Sequence, residues 1–172
     1  MNRNYLIIGN PVEHSLSPKI HNFWFNKNNI NATYEKESLS EGKLKNLVKR
    51  IKKGDISGAN VTVPFKQKII PFLDKLSDIA KKTQSVNTLY KEDDLVIGDN
   101  TDVYGFSQSI LNQNISLKNK DALIIGAGGV VPSVITALED LSIGKIYIKN
   151  RTQEKLLKLK ETFINISPLE WD

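Results

Sequence analysis

The chain has 172 residues, 24 of them Lys or Arg and 19 Asp or Glu, for a net charge of +5; 40% are hydrophobic and none is Cys. That length supports a substantial core, and the lack of Cys excludes a disulfide scaffold, a thiolate metal site and a Cys nucleophile. Apolar runs are too short to span a bilayer, and MNRNYLIIGNP reaches Gly9 and a polar stretch too soon for a signal peptide, so a cytoplasmic protein is expected.

YLIIG (5–9) predicts a strand ending on the turn signal Gly9-Asn10-Pro11. Ser17-Pro18 predicts a helix start, with Ser17 as N-cap, Pro18 at the first helical position and Ile20, Phe23 and Trp24 as the apolar face. ATYEKESL (32–39) fits a strand. Residues 41–53 fit a helix, with Leu44, Leu47, Val48 and Ile51 at i, i+3, i+4 and i+7. The Lys residues of KLKNLVKRIKK (43–53) then lie on its solvated face. A nucleic-acid groove would interleave aromatics with that charge; none are there, so no nucleic-acid partner is expected. GANVTV (58–63) predicts a strand stopped by Pro64, then a helical stretch through Lys81 that Pro71 interrupts. VNTLY (86–90) and LVIGDN (95–100), joined by KEDD, predict a β-hairpin. From Thr101 a helix with Val103, Phe106 and Ile110 inward leads into the polar link NQNISLKNK (112–120). ALIIG (122–126) predicts a short buried strand, 129–141 a helix, KIYIKN (145–150) a strand and 153–164 a helix. This alternation implies an α/β fold with a mostly parallel sheet, and the link divides it into domains 1–112 and 113–172.

Gly126-Ala127-Gly128-Gly129 follows a predicted strand and opens a helix. Glycines in that position tighten the turn and let a pyrophosphate approach the backbone, where the helix N-terminus favours its charge. Val131 stands where the dinucleotide fingerprint has a third Gly or Ala, which would loosen the helix–strand contact. An NAD site calls for an acid about 20 residues further on. Here Asn150 stands 22 positions after Gly128, followed by Arg151 and Thr152 with no acid beside them. A guanidinium holds a 2′-phosphate that a carboxylate would repel, so NADP is favoured; the alternative is a helix N-cap at Thr152 beside an exposed Arg.

Polar clusters gather at the predicted strand ends: Asn10-Pro-Val-Glu-His14-Ser15-Leu-Ser17, Asn60-Val-Thr62-Val-Pro-Phe-Lys66, Asn87-Thr88 and Asp99-Asn100-Thr101-Asp102. Loops at the carboxyl ends of parallel strands are where such folds bind ligands, and a polyol acid needs these hydroxyl, amide and ammonium groups. Taken singly, Ser17 also reads as a cap, Thr62 as a strand residue, Asn87 as a turn former and Lys66 as surface charge.

GNPVEHSLSPKIHN (9–22), GANVTVPFK (58–66), SVNTL (85–89) and GDNTD (98–102) resemble, in the same order, the motifs of the shikimate dehydrogenase family; GAGG (126–129) and NRT (150–152) resemble its NADP-binding half. The resemblance implies an N-terminal substrate-binding α/β domain followed by the first half of a Rossmann-like domain. It also implies reversible NADP-dependent interconversion of 3-dehydroshikimate and shikimate, in aromatic amino-acid biosynthesis, with no metal. Ser15 and Ser17 then bind the substrate carboxylate, and Thr62, Asn87 and Asp102 its ring hydroxyls. Lys66 is the catalytic lysine, with Asp102 its partner. Such a pair can relay the proton that must move when hydride leaves or reaches a carbinol carbon. A lysine's ordinary pKa near 10.4 would have to be lowered for that work. By the same resemblance Gly126, Ala127, Gly128, Gly129, Asn150, Arg151 and Thr152 hold the cofactor.

The chain departs from the family at Gln84-Ser85, where Gly-Ala is usual, at Val103, where Gly is usual, and at Val130-Val131, where Ala-Ala is common. A complete dinucleotide fold takes roughly 130–150 residues, whereas Asp121–Asp172 supplies 52, so INISPLEWD (164–172) is expected to be a cut within the cofactor domain. In the family the remainder completes that domain, supplies a Tyr, and returns to the first domain with helices carrying a substrate-binding Gln. A half-built sheet exposes an edge open to aggregation or to pairing as a homodimer. The alternatives are a non-catalytic shikimate-binding module of the same ancestry and a dehydrogenase that also takes quinate.

Overall fold

The computed structural model describes residues 3–171. In chain order the first unit runs β1 (Arg3–Gly9), α1 (Ser17–Lys27), β2 (Ala32–Ser38), α2 (Leu44–Lys53), β3 (Gly58–Val61), β4 (Lys75–Leu76), α3 (Asp78–Thr83), β5 (Thr88–Glu92) and β6 (Leu95–Asp99). These strands form a six-stranded sheet in the order β2-β1-β3-β5-β6-β4. Pairing is parallel except at β3–β5 and β5–β6. It follows that the C-terminal ends of β1, β3 and β6 and the start of β5 share one edge of the sheet.

One face of that sheet is covered by α2. Leu44, Leu47, Val48 and Ile51 are buried against Leu6, Ile8, Ala59, Val61, Leu89 and Val96, at about 1.5–3 kcal/mol for each fully buried aliphatic side chain. The helix ends at Gly54, left-handed at φ 85°. Its charges face outward as expected, Arg50 pairing with Glu37 at 2.9 Å and Lys52 with Asp74 at 3.0 Å. The opposite face carries a thin cluster of Ile7, Val12 and Tyr34 with Tyr5 and Phe25.

Three expectations are corrected here. Leu16, not Ser17, occupies the N-cap position of α1, and Ser17 and Pro18 are its first helical residues. Ile20, Phe23 and Trp24 are exposed. The helix is held instead by Phe25, by His21 stacked on Tyr34 at 4.2 Å, and by Asn22, which accepts from the Tyr34 N–H (2.9 Å) and donates to its carbonyl (2.8 Å). The amide of Asn22 thus stands in for a strand partner on the outer strand β2. Finally, 65–81 is not one interrupted helix. Pro64 and Pro71 leave turns and a short 3-10 segment at Ile70–Phe72, then β4, and α3 starts where Ser77 Oγ accepts from the Ala80 N–H at 3.1 Å.

The second unit begins at Thr101. It contains α4 (Asp102–Leu111), β7 (Ala122–Ile125), α5 (Val131–Asp140), β8 (Ile146–Lys149), α6 (Gln153–Thr162) and β9 (Ile166–Leu169). The three strands pair in parallel in the order β7-β8-β9, a βαβαβ arrangement. Helix α4 packs on α5, which places it with this unit. The core joins Val131, Ile135 and Leu138 of α5 to Ile146, Ile148, Leu156, Phe163 and Ile166. Strand β9 contains Pro168, which an outer strand tolerates and which hides the segment from a sequence reading. Strand β7 is not the buried strand expected: it is outermost among the described residues, with Leu123 57% and Ile125 71% exposed. No helix among the described residues is long and apolar enough to cross a membrane.

Thr136, wholly buried in α5, has a hydroxyl without a hydrogen-bond partner. Thr136→Val keeps the side-chain shape and removes that desolvated group, so it is expected to stabilise the fold by about 1 kcal/mol, read as a higher urea midpoint with unchanged slope.

Candidate functional site

Within the first unit, the loops after β1 and β3 converge at the shared edge. The Asn10 N–H donates to the Val63 carbonyl at 3.0 Å and the Thr62 N–H to Ile8 at 2.9 Å. A Cβ on Gly9 would lie 2.6 Å from Thr62 Cγ2, so the close approach that seats Thr62 against the first loop requires glycine. In that loop Ser15 Oγ accepts from the Ser17 N–H at 3.3 Å and its hydroxyl donates to Ser17 Oγ at 3.2 Å. The helix start therefore draws on Ser15, and the Ser17 side chain caps nothing.

Phe65 is buried between Thr62 and Lys66 and turns the chain by donating its N–H to the Thr62 carbonyl at 2.9 Å. The Lys66 carbonyl accepts from the Val86 N–H at 2.8 Å, which ties the half-buried Lys66 to the residue next to Asn87. Asn87 donates its N–H to Asp99 at 3.0 Å and accepts from Val61 at 2.8 Å. Five of the expected residues, Ser15, Ser17, Thr62, Lys66 and Asn87, thus lie on loops and strand ends at one edge of one sheet. Asp102 opens α4 in the second unit, where it is half-buried.

Tyr34, not singled out from sequence, shapes this edge together with Asn60, Thr88 and Asn100 of the polar clusters. Asn60 is registered opposite Thr88 across β3 and β5. The Tyr34 hydroxyl donates to Asn60 Oδ1 at 2.6 Å, and Asn60 Nδ2 donates to Thr88 Oγ1 and to the Asn87 carbonyl, each at 3.1 Å; Thr88 Oγ1 donates to Asn87 Oδ1 at 2.9 Å. Burial raises the Tyr34 pKa and lowers that of His21, keeping both neutral. The buried Asn100 donates to the Ser85 carbonyl at 2.8 Å and to Thr83 Oγ1 at 3.2 Å, pinning the turn ahead of Asn87.

That turn explains one departure. Gln84 is left-handed, at φ 47°, a conformation that favours glycine; its Nε2 offsets part of the strain by donating to the Lys81 carbonyl at 2.8 Å. Gln84→Gly is expected to stabilise the protein by about 0.5–1 kcal/mol, measured as a rise in the thermal midpoint. Ser85 is wholly buried, and Val103 is buried at the start of α4.

In the second unit Gly126 has φ 110°, a conformation reserved for glycine, while a Cβ on Gly128 or Gly129 would meet nothing within 4 Å. The protein gives no packing reason for the latter two glycines; the open space beside the start of α5 is what a pyrophosphate lying on the backbone needs. Val131 does not loosen the unit, since its side chain is part of the core. A cleft of about 280 Å³ is lined by Ile125, Gly126, Asn150, Arg151, Thr152, Lys155 and Trp171. It holds two cations and no acid, the donor set a phosphorylated ribose requires. Asn150 Nδ2 donates to the Thr152 carbonyl at 2.8 Å, and Thr152 takes the N-cap position of α6 without its hydroxyl capping the helix. Lys155 and Trp171 were not expected there, and Trp171 lies in the segment after a strand that the sequence does not show. Among the described residues, no group of three or more His, Cys, Asp or Glu is placed to hold a metal ion.

Fold and loops together define a substrate-binding α/β domain followed by a βαβαβ unit of the dinucleotide-binding type. Residues 7–89 match the family model for the shikimate dehydrogenase substrate binding domain, and 107–170 that for shikimate / quinate 5-dehydrogenase. The shikimate dehydrogenase (NADP(+)) of Pelagibacter ubique is 53% identical over 171 residues, covering 99% of this chain and 64% of that protein. That of Clostridium beijerinckii is 38% identical, covering 96% and 67%. The crystal structure of the Aquifex aeolicus shikimate dehydrogenase superposes with a TM-score of 0.89 at 37% identity, over 99% of this chain and 63% of that one. The Thermus thermophilus enzyme in complex with NADP(H) and shikimate gives 0.87 at 30% identity, over 97% and 62%. The chain belongs to the shikimate dehydrogenase family, and it spans 64% of the length of the Pelagibacter relative.

Proposed function

We propose that the chain forms the substrate-binding part and the first half of the NADP-binding part of a cytoplasmic shikimate dehydrogenase, which reversibly reduces 3-dehydroshikimate to shikimate in aromatic amino-acid biosynthesis. The observation that carries this reading is the gathering of Ser15, Ser17, Thr62, Lys66 and Asn87 on one sheet edge, fixed by backbone hydrogen bonds between their loops. The functional division runs 1–112 for substrate and 113–172 for cofactor. Ser15 and Ser17 donate to the carboxylate of the acid, and Thr62, Asn87 and Asp102 bind its ring hydroxyls. Lys66 holds the reacting oxygen and, with Asp102 as partner, moves its proton.

NADP, when bound, accepts or supplies the hydride. On this side of the reaction Gly126, Ala127, Gly128 and Gly129 present backbone to its pyrophosphate, and Asn150, Arg151 and Thr152 take the phosphorylated ribose. A homodimer is the proposed assembly.

The test is a rate comparison: shikimate against quinate, each with NADP and with NAD. Shikimate with NADP is expected to be fastest, and Arg151→Ala to lose about tenfold or more in NADP affinity while NAD affinity changes little. Fast turnover of quinate would broaden the substrate class, and binding of shikimate without turnover would make this chain a binding module.

A further inference from the structure

The hydrogen bonds around Tyr34 form one chain through the first unit. Tyr34 donates to Asn60, Asn60 to Thr88, and Thr88 to Asn87, at 2.6, 3.1 and 2.9 Å. Every donor therefore points the same way, from Tyr34 to Asn87. The buried phenol gives its proton to Asn60 Oδ1, and Asn60 Nδ2 also donates to the Asn87 carbonyl at 3.1 Å. Those two bonds together fix the Asn60 amide, whose Nδ2 then meets Thr88, and Thr88 in turn claims Oδ1 of Asn87.

We propose that Tyr34 is a positioning residue that, through Asn60 and Thr88, sets the Asn87 amide to address the substrate with Nδ2 as donor. This rests on the reading of Asn87 as a substrate contact. A flipped Asn87 would offer its carbonyl to a ring hydroxyl and set Nδ2 against Thr88. Head-to-tail chains of this kind strengthen each member, and buried partners are costly to leave unmade. The aromatic ring of Tyr34 has a separate task, packing in the thin cluster with Ile7 and Val12 and stacking on His21.

Tyr34→Phe separates the two tasks, because it keeps the ring and deletes the proton. Thr88→Val breaks the chain nearer Asn87 without touching Tyr34. The readout is the side-chain amide NMR signal of Asn87 in the ligand-free protein, assigned by its loss in Asn87→Asp, with Thr33→Val as control for an exposed hydroxyl that bonds only Asn4. Both Tyr34→Phe and Thr88→Val are expected to shift that signal, and the control to leave it in place. In calorimetric titration with shikimate, both variants are expected to bind about tenfold more weakly. An Asn87 signal unmoved in Tyr34→Phe and Thr88→Val overturns the proposal, whatever the affinity. A shifted signal in a protein that binds no shikimate even as wild type upholds the wiring and overturns the shikimate reading.

Discussion

Lys66→Ala is expected to lower shikimate-dependent NADPH formation by about 10²–10⁴-fold, the usual contribution of a positioned acid–base group. Oxidation of a secondary alcohol removes a hydride from carbon and a proton from oxygen, and Lys66 is the proton-moving group proposed for that oxygen. The loss should fall on kcat more than on KM, because the proposed shikimate contacts are shared among Ser15, Ser17, Thr62 and Asn87. Stability should change little, since the side chain is half-buried and Val86 is held by the Lys66 backbone carbonyl, which the substitution keeps. A variant retaining a tenth or more of the wild-type rate would remove Lys66 from the proposed chemistry.

Phe65→Ala is expected to cost about 3–5 kcal/mol, the range for emptying a well-packed aromatic site. Phe65 is 2% exposed and belongs to the core that α2 builds against the sheet. Domains carry only about 5–15 kcal/mol in all, so the thermal midpoint should fall by roughly 10 °C. Function should suffer beyond the stability loss. Phe65 holds the turn that carries Thr62 on one side and Lys66 on the other, and the Phe65 carbonyl accepts from the Ile69 N–H at 2.9 Å. Measured below its midpoint, Phe65→Ala should show a raised KM for shikimate as well. A midpoint within 2–3 °C of wild type, as expected of a substitution worth about 1 kcal/mol or less, would mean the loop is held by something other than this anchor.

The fold was legible where periodicity and burial agree. Leu44, Leu47, Val48 and Ile51 recur at helical spacing, and all four are buried on α2. It was illegible where one contact overrides the pattern. Ile20, Phe23 and Trp24 look like the inner face of α1, yet the stack of His21 on Tyr34 and the two hydrogen bonds of Asn22 turn a different face to the sheet. Strand β4 is two residues long and β9 contains a proline, so neither leaves an alternating signature. The candidate site was legible as residue types beside strand ends. Its supports were not, because the direction of a hydrogen-bond chain depends on register: only the pairing of Asn60 with Thr88 brings Tyr34 into connection with Asn87. Gln84 shows the reverse case, a departure visible in sequence whose cause, a left-handed backbone, appears only in the structure.

The most direct test of the proposed activity is to mix the purified protein with shikimate and NADP and quantify both products. The account predicts NADPH and 3-dehydroshikimate in equal amounts, and the reverse reaction from 3-dehydroshikimate and NADPH. Failure to form either product, with the protein folded, would contradict the assignment of dehydrogenase activity to this chain and leave it as a binding unit of its family.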